Sequence, residues 1–487
     1  MKKDKIFLTS LCLCLALFAS TCSYALTISV NALIGEPGCD LVDAINSANN
    51  NADIGDCLRE EEGDGNGEDD TIRISEDFVE YKITQADDSD IFGDIGLPAI
   101  TSTIRIVGQN ARITSIVRDS EESFRFFLVF GGDLTLENIE LRNGNVLPDA
   151  DGGAIHVTPD RRTLDVKFSS LTLLDVQIIG NNSKEGGGIY LSNDTNLLMK
   201  RSTIAWNNAV ETPSGGDGIG GGVRAEPIPE RGGPTSVRIF DSTFIGNEAS
   251  KSGGGANFPA DAGSTYGIYN TTFFDNKSGL SGGGMLIVVD DDDDVEDLGL
   301  SNSITLRNNI IIGNQSGILR GNQLLIREED LDNNLIIDNN LIGNLGETTF
   351  EAINVDEFPG NIISTSDGDQ PLATEQILEP SLFVTSRGLL MKRPAIGSPA
   401  INSGVRSRSE RTGTFPNLIL ISQEPGCRGE TSSIFDIFSY RIDQNEQARP
   451  IGNECDMGSY ESEHGANDEE QCYVVPTSNN KTVMFCL

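Results

Sequence analysis

Between residues 134 and 344 the chain repeats one alternation: apolar, x, apolar, x, Asn or Asp, x, x, apolar, x, x, Asn. Copies start at Leu171 (LTLLDVQIIGN), Leu197 (LLMKRSTIAWN), Val237 (VRIFDSTFIGN), Tyr266 (YGIYNTTFFDN) and Ile304 (ITLRNNIIIGN). A sixth at Asn334 (NLIIDNNLIGN) departs at its first position, and an early copy at Leu134 (LTLENIELRN) is one residue short. Successive starts lie 37, 26, 40, 29, 38 and 30 residues apart. Apolar residues two apart, flanked by Thr, Arg or Lys, have the period of half-buried strands, and no window carries a helical stripe. Helical arrays such as TPR, ankyrin or HEAT are thereby excluded.

A glycine signature follows most copies: GGGIYL at Gly186, GGGVRA at Gly220, GGGANF at Gly253, GGGMLI at Gly282 and a related GGAIHV at Gly152. Fixed order with variable spacing predicts one structural unit with loops inserted at permitted points. Asn suits the tight turn closing each unit. Stacked coils would then place Asn181, Asn207, Asn247, Asn276, Asn314 and Asn344 above one another, amide to amide. Glycines let the backbone bend where a Cβ would clash. An all-β, right-handed parallel β-helix meets these demands. A β-propeller is the runner-up, but its blades need ~40–45 residues and an aromatic signal, and Trp206 stands alone.

The first 25 residues read as a signal peptide: Lys2, Lys3 and Lys5, an apolar run from Ile6 to Ala19, then Ser23-Tyr24-Ala25 before the cut. Cys22 offers a competing lipoprotein reading, with a poor lipobox before it. Losing three Lys and one Asp moves the net charge from −39 to −41. That excess of acid excludes nucleic acid as a partner, because phosphate neutralisation needs Lys and Arg. No later segment is long and apolar enough to span a bilayer, so the mature chain is expected to be secreted or held at the cell surface, as a monomer. Six cysteines remain after cleavage: Cys39, Cys57, Cys427, Cys455, Cys472 and Cys486. In an oxidising compartment they read as disulfides, and nearest-neighbour pairing is the simplest of about fifteen connectivities. A zinc site is the weaker alternative, as no Cys-x-x-Cys occurs. Small disulfide-bonded caps at both ends would then flank a repeat that needs no covalent help.

At the N-terminal end, Asp40 can cap a short helix whose Leu41, Ala44, Ile45 and Ala48 share one face, fit to cover the first coil. Cys472–Val475 and Thr482–Cys486 flank a polar turn and read as a hairpin.

The pairing of GGGI or GGAI with [FI]-x-x-N resembles the repeats of chlamydial polymorphic outer-membrane proteins and related pectin-lyase-like β-helices. Cys39-Asp40-Leu41-Val42-Asp43-Ala44-Ile45 resembles the CSLREA motif of secreted bacterial β-helix proteins, matching at Cys39, Leu41, Ala44 and Ile45. Gly397-Ser398-Pro399-Ala400-Ile401-Asn402-Ser403-Gly404 and Cys455-Asp456-Met457-Gly458-Ser459-Tyr460-Glu461 resemble the paired motifs closing choice-of-anchor proteins. The resemblance implies fold and export, and little about activity. Together these readings divide the chain into a signal peptide (1–25), a CSLREA-like cap (26–70), the β-helix (71–396), a choice-of-anchor-like module (397–462) and a hairpin tail (463–487).

Candidate chemistry is sparse. His156 and His464 are the only histidines, and neither Trp-Ile-Asp-His nor Gly-His-Gly occurs, the signatures the resemblance would attach to lyase or polygalacturonase activity. The basic clusters Arg161, Arg162, Lys167 and Lys200, Arg201 read as solvated strand faces. Two acidic runs offer oxygen ligands for calcium: Asp290, Asp291, Asp292, Asp293 and Asp294, and Asp64, Asn66, Glu68 and Asp70. Both read first as charged loops, and no other cofactor is implied. The expected function is non-enzymatic, an adhesin-like or glycan-binding surface protein. Its partner would be an extracellular glycan or surface protein, met by inserted loops such as 213–222, 226–235 and 290–299. The alternative is a polysaccharide lyase or glycoside hydrolase working in a groove along the helix.

Overall fold

In a computed structural model, residues 26–401 are described apart from positions 62–69, 79, 110–113, 149, 213–217, 227–234, 261–262, 290–301, 318–322, 329–333, 344–348, 352–359, 364–372, 386 and 396–397. Beyond them the strand backbones 409–411, 421–423, 472–476 and 482–486 are described. The chain is all-β and winds as a parallel β-helix. Its three long sheets hold eleven, ten and eight strands, and five two-residue strands form a further ladder at one corner.

One coil shows the plan. Ser169–Leu174 lies on the first face, Gln177–Ile179 on the second, Asn182–Ser183 at the corner and Ile189–Ser192 on the third. Thr195–Lys200 then begins the next coil directly beside Ser169–Leu174, in parallel. Register is held by burial, because a one-residue slip would turn each greasy row outward. Thus Leu173, Met199, Ile239, Ile268, Leu306 and Ile337 stack inside the first face. Ile178, Ile204, Phe244, Phe273, Ile311 and Ile342 do so inside the second. Both rows belong to one continuous core.

The corners explain the template's polar slots. Asn138, Asp175, Arg201, Asp241, Asn270, Asn308 and Asn339 all turn the chain after the first face with φ between +46° and +57°. Asn and Asp tolerate that left-handed conformation better than other non-glycine residues, and Arg201 shows that the fold can impose it. Between the corner and the third face the glycines permit contact. A Cβ on Gly187 would stand 2.3 Å from the Gly221 carbonyl oxygen and 2.6 Å from the Asn208 nitrogen.

Both ends of the expected repeat need adjusting. Ile304 pairs with Leu335, so the sixth copy begins at Leu335 rather than Asn334 and its Asn comes one position early. Asn344 itself lies outside the described residues. The short copy at Leu134 is completed by Gly144, which takes the place of the final Asn and donates from its N–H to Asn181 Oδ1 at 2.7 Å.

The N-terminal end is closed as an open solenoid requires. Leu26–Val30 runs parallel to Asp70–Ile74, while Arg59–Glu61 pairs antiparallel on its other side and ends the sheet. Helix Leu41–Asn50 is capped by Asp40, whose Oδ1 accepts from the Asp43 N–H at 2.9 Å, and it buries Leu41, Ala44, Ile45, Ser47 and Ala48. Asn49 ties it to the 97–101 segment by donating to the Ala99 carbonyl at 2.7 Å. The Cys39–Cys57 disulfide joins the residues flanking the helix.

Ile362–Ile363 is the last coil strand among the described residues. Residues 373–401 fold as a strap along the outside of the second face. Ile377 and Leu378 pack beside Ile310, Ile312 and Leu341. Leu382 meets Ala205 and Ile245, and Arg387 reaches back to Asp175 at 3.0 Å. The strap then returns: Thr203 donates to the Leu390 carbonyl at 2.6 Å, Lys392 lies 4.7 Å from the Phe274 ring centre, and Ala400 rejoins the Ile310 cluster. Burial lowers the Lys392 pKa to about 8. The tail forms the expected hairpin, with Cys472 opposite Cys486, and its second strand adds in parallel to Leu382–Val384. Cys427 and Cys455 lie outside the described residues. Among the described residues no helix is long and apolar enough to cross a membrane.

Candidate functional site

The asparagine ladder is structural. Asn181 donates from both its backbone N–H (3.0 Å) and its amide (2.8 Å) to Asn207 Oδ1. The pattern repeats from Asn207 to Asn247, Asn247 to Asn276 and Asn276 to Asn314. Each amide also donates to a carbonyl one coil back, as Asn247 does to Ile204 at 2.9 Å. Beyond Asn314 the acceptor is Gln323 Oε1, at 2.9 Å. Gln323 stands in the row of the third glycines, next to Gly284, and sends its longer amide into the ladder.

The outer side of the third face holds a cluster of buried charge. Register stacks His156, Tyr190, Arg224 and Asn257 in one outward row. A hairpin, Asp88–Asp90 with Gly93–Ile95, lies over its start and places Phe92 5.0 Å from the His156 ring centre, with Tyr190 at 4.8 Å on the next rung. Beneath it Arg125 is wholly buried and donates to the carbonyls of Phe92, Asp151 (3.0 Å) and Gly152 (3.3 Å). Burial lowers its pKa to about 10, against the opposite pull of its acidic neighbours. The His156 pKa is also lowered by burial and then by Arg125, so the imidazole is neutral, while burial raises the Asp151 carboxyl. Arg125 Nη1, His156 Nδ1 and Asp151 Oδ1 are buried without hydrogen-bond partners. Farther along, Tyr190 donates to Glu226, and Arg224 lies 3.4 Å from Glu185 and 3.6 Å from Glu226. These carboxylates face cations or hydroxyls within the chain, an arrangement that neutralises charge rather than presenting an acid and a base to a substrate.

The two basic clusters do not merge into a stripe. Arg161 pairs with Asp194, Arg162 with Asp160 and Arg201 with Asp175. Of the acidic runs, Asp70 sits in a first-face strand, and Asp64, Asn66, Glu68 and Asp290–Asp294 lie outside the described residues. Among the described residues no three His, Cys, Asp or Glu side chains are grouped to hold a metal ion.

Two surface features remain. The segment 159–168 closes on itself through an Asp160–Lys167 bridge, and Arg162 covers the Phe130 ring at 4.4 Å. Phe92 of the hairpin touches the same ring, its centre 6.0 Å away, so both loops meet over Phe130. Ile91 sits at the hairpin turn, Leu164 at the tip of the 159–168 loop and Phe168 at its base, exposed to 90, 106 and 62%. Separately, a cleft of about 470 Å³ opens where the second face turns toward the short corner strands, lined by Arg118, Asp119, Ser120, Glu121, Asn143, Asn145, Gly180 and Asn182. Arg118 is held there by donating to the Asn143 carbonyl at 2.8 Å and the Glu122 carbonyl at 2.6 Å. Sequence reasoning missed this cleft because its residues come from successive coils and lie mostly outside the repeated template. Asn143 gave one faint signal, as the final residue of the short copy.

Compared with protein-family models, curated proteins and solved structures, the chain matches none.

Proposed function

We propose that the chain is exported and acts without catalysis as an adhesin-like surface protein, binding an extracellular glycan or surface protein through loops carried on a rigid β-helix. The observation that supports this reading is the placing of Ile91, Leu164 and Phe168. Large exposed apolar side chains cost solubility, and their grouping on two loops that meet over one ring suits a contact surface. The basic n-region and apolar run before Ala25 support export. Long stretches also separate a third-face strand from the next first-face strand between Glu226 and Ser236 and between Val289 and Ser303, as at 159–168, which favours one edge of the rod for display.

The test is adhesion of the purified chain to immobilised cells and extracellular polysaccharides. Replacing Ile91, Leu164 and Phe168 with Ser is expected to cut retention at least about tenfold, as loss of interface anchors does, with an unchanged melting temperature. Unaltered retention removes the loops from the reading. Release of reducing ends or unsaturated uronates from any polysaccharide replaces it with the lyase or hydrolase alternative.

A further inference from the structure

The cleft beside Arg118 has a chemistry of its own. Its lining holds no apolar side chain, so it offers nothing to anchor the side chains of a peptide. Three amides line it. Those of Asn143 and Asn182 make no side-chain hydrogen bond among the described residues, whereas Asn145 accepts from the Leu147 N–H at 3.3 Å and faces Ser123 Oγ at 3.4 Å. Each free amide is both donor and acceptor, the pairing that neighbouring hydroxyl groups require. Charge nearly cancels: Arg118 faces Glu121, and Asp119 is paired with Lys82 at 2.9 Å. Such a site exerts little pull on a polyanion or a bare cation. Its volume falls within the ~300–1,000 Å³ usual for small-ligand sites.

The fold holds these groups rigidly. Asn145 and Asn182 are bridge partners on successive coils, which sets their backbones ~4.8 Å apart. Asn143 occupies a left-handed corner, φ +68°, and Gly180 takes the same corner one coil on, at +65°. In the following coil that corner carries Trp206, so the open floor at Gly180 depends on the absence of a side chain.

We infer that this cleft is a subsite for a neutral, hydroxyl-rich oligosaccharide. The inference rests on the proposed binding role, for which it names a ligand class and a place away from the exposed apolar side chains.

The experiment is calorimetric titration of the whole chain with neutral tetrasaccharides of the gluco, manno, xylo and N-acetylglucosamine series, with tetragalacturonate as the anionic probe. At least one neutral probe is expected to bind at millimolar concentration or below. The paired substitution Asn143→Gly and Asn182→Ala should weaken it at least about tenfold, as loss of one or two hydrogen bonds to ligand would. Gly180→Asn, which gives this left-handed corner the residue type it carries one coil back at Asn143, should weaken binding by narrowing the floor, and both variants should keep the native melting temperature. The Ile91, Leu164 and Phe168 substitutions should leave it unchanged. Preference for tetragalacturonate, equal affinity in the cleft variants, or no binding by any neutral probe overturns the inference. Should adhesion through the loops persist in those last cases, the cleft assignment alone is lost, whereas loss of both overturns the binding role as well.

Discussion

The asparagine ladder and the roofed patch around His156 are both buried and polar, yet they handle hydrogen bonding in opposite ways. Within the ladder each rung from Asn181 to Asn276 meets a copy of itself on the next coil. Asn247 accepts from the Asn207 N–H and amide and donates to Ile204 and Asn276, so each buried group finds its partner by translation along the axis. Under Phe92 the neighbour is a hairpin with no counterpart on other coils. There Arg125, His156 and Asp151 each keep one buried atom without a hydrogen bond. In the ladder repetition satisfies the buried amides, whereas under the hairpin polar atoms stay under tension between burial and hydration.

The sharpest way to break that contrast is Asn247→Ala. It leaves the Asn207 N–H and the Ile204 carbonyl without these partners inside the core, at ~1–3 kcal/mol for each buried group. The urea midpoint should fall by the equivalent of about 3–5 kcal/mol, and a loss below about 1 kcal/mol would mean the ladder is decorative. A smaller effect is expected from Ser242→Ala at the other corner. Ser242 accepts the Ser202 N–H at 3.1 Å and returns its own proton to the Phe240 carbonyl at 2.7 Å, so one bond across coils is at stake, near 1 kcal/mol.

The smallest effect separates the patch from the ladder by pH. Burial depresses the folded-state pKa of His156 below its unfolded value of ~6.5. As pH falls through about 6.5 the unfolded chain takes the proton first, so stability present above that pH is progressively lost. Asp151, with its pKa raised, works in the opposite sense: near its own titration the folded state protonates first and gains stability. Melting temperatures of the native chain should therefore decline between about pH 7 and 5, whereas His156→Phe should flatten that decline. An equal decline in the variant would place the acid sensitivity elsewhere.

Much of the fold was legible because the side-chain period of a strand and the corner residues are both written in residue type. Leu171, Leu197, Val237, Tyr266 and Ile304 do stack, and the helix at Leu41 packs the face its spacing indicated. At the corner after the first face, the residue following the Asn or Asp was illegible for the converse reason. Ser202, Ser242, Asn309 and Asn340 share one duty, accepting a backbone N–H from the preceding coil, through side chains that look unrelated in a sequence. Gln323 escaped notice because it joins the ladder from a different place in the coil. The strap could not be read either. Residues 373–401 carry apolar positions that suit a further rung, and only the row Ile179, Ala205, Ile245, Phe274 and Ile312 outside the second face reveals what they cover. The cleft depends on which coils adjoin, information that no local pattern holds.

The strap has a mechanical consequence. By touching Asp175, Thr203, Phe274 and Ile310 it splints the rod lengthwise, parallel to the direction in which neighbouring rungs would separate. Tension along the axis would load those contacts in shear, all at once, whereas a pull sideways on the strap would peel them singly. A tether on the strap would therefore hold against stretching and yield to peeling.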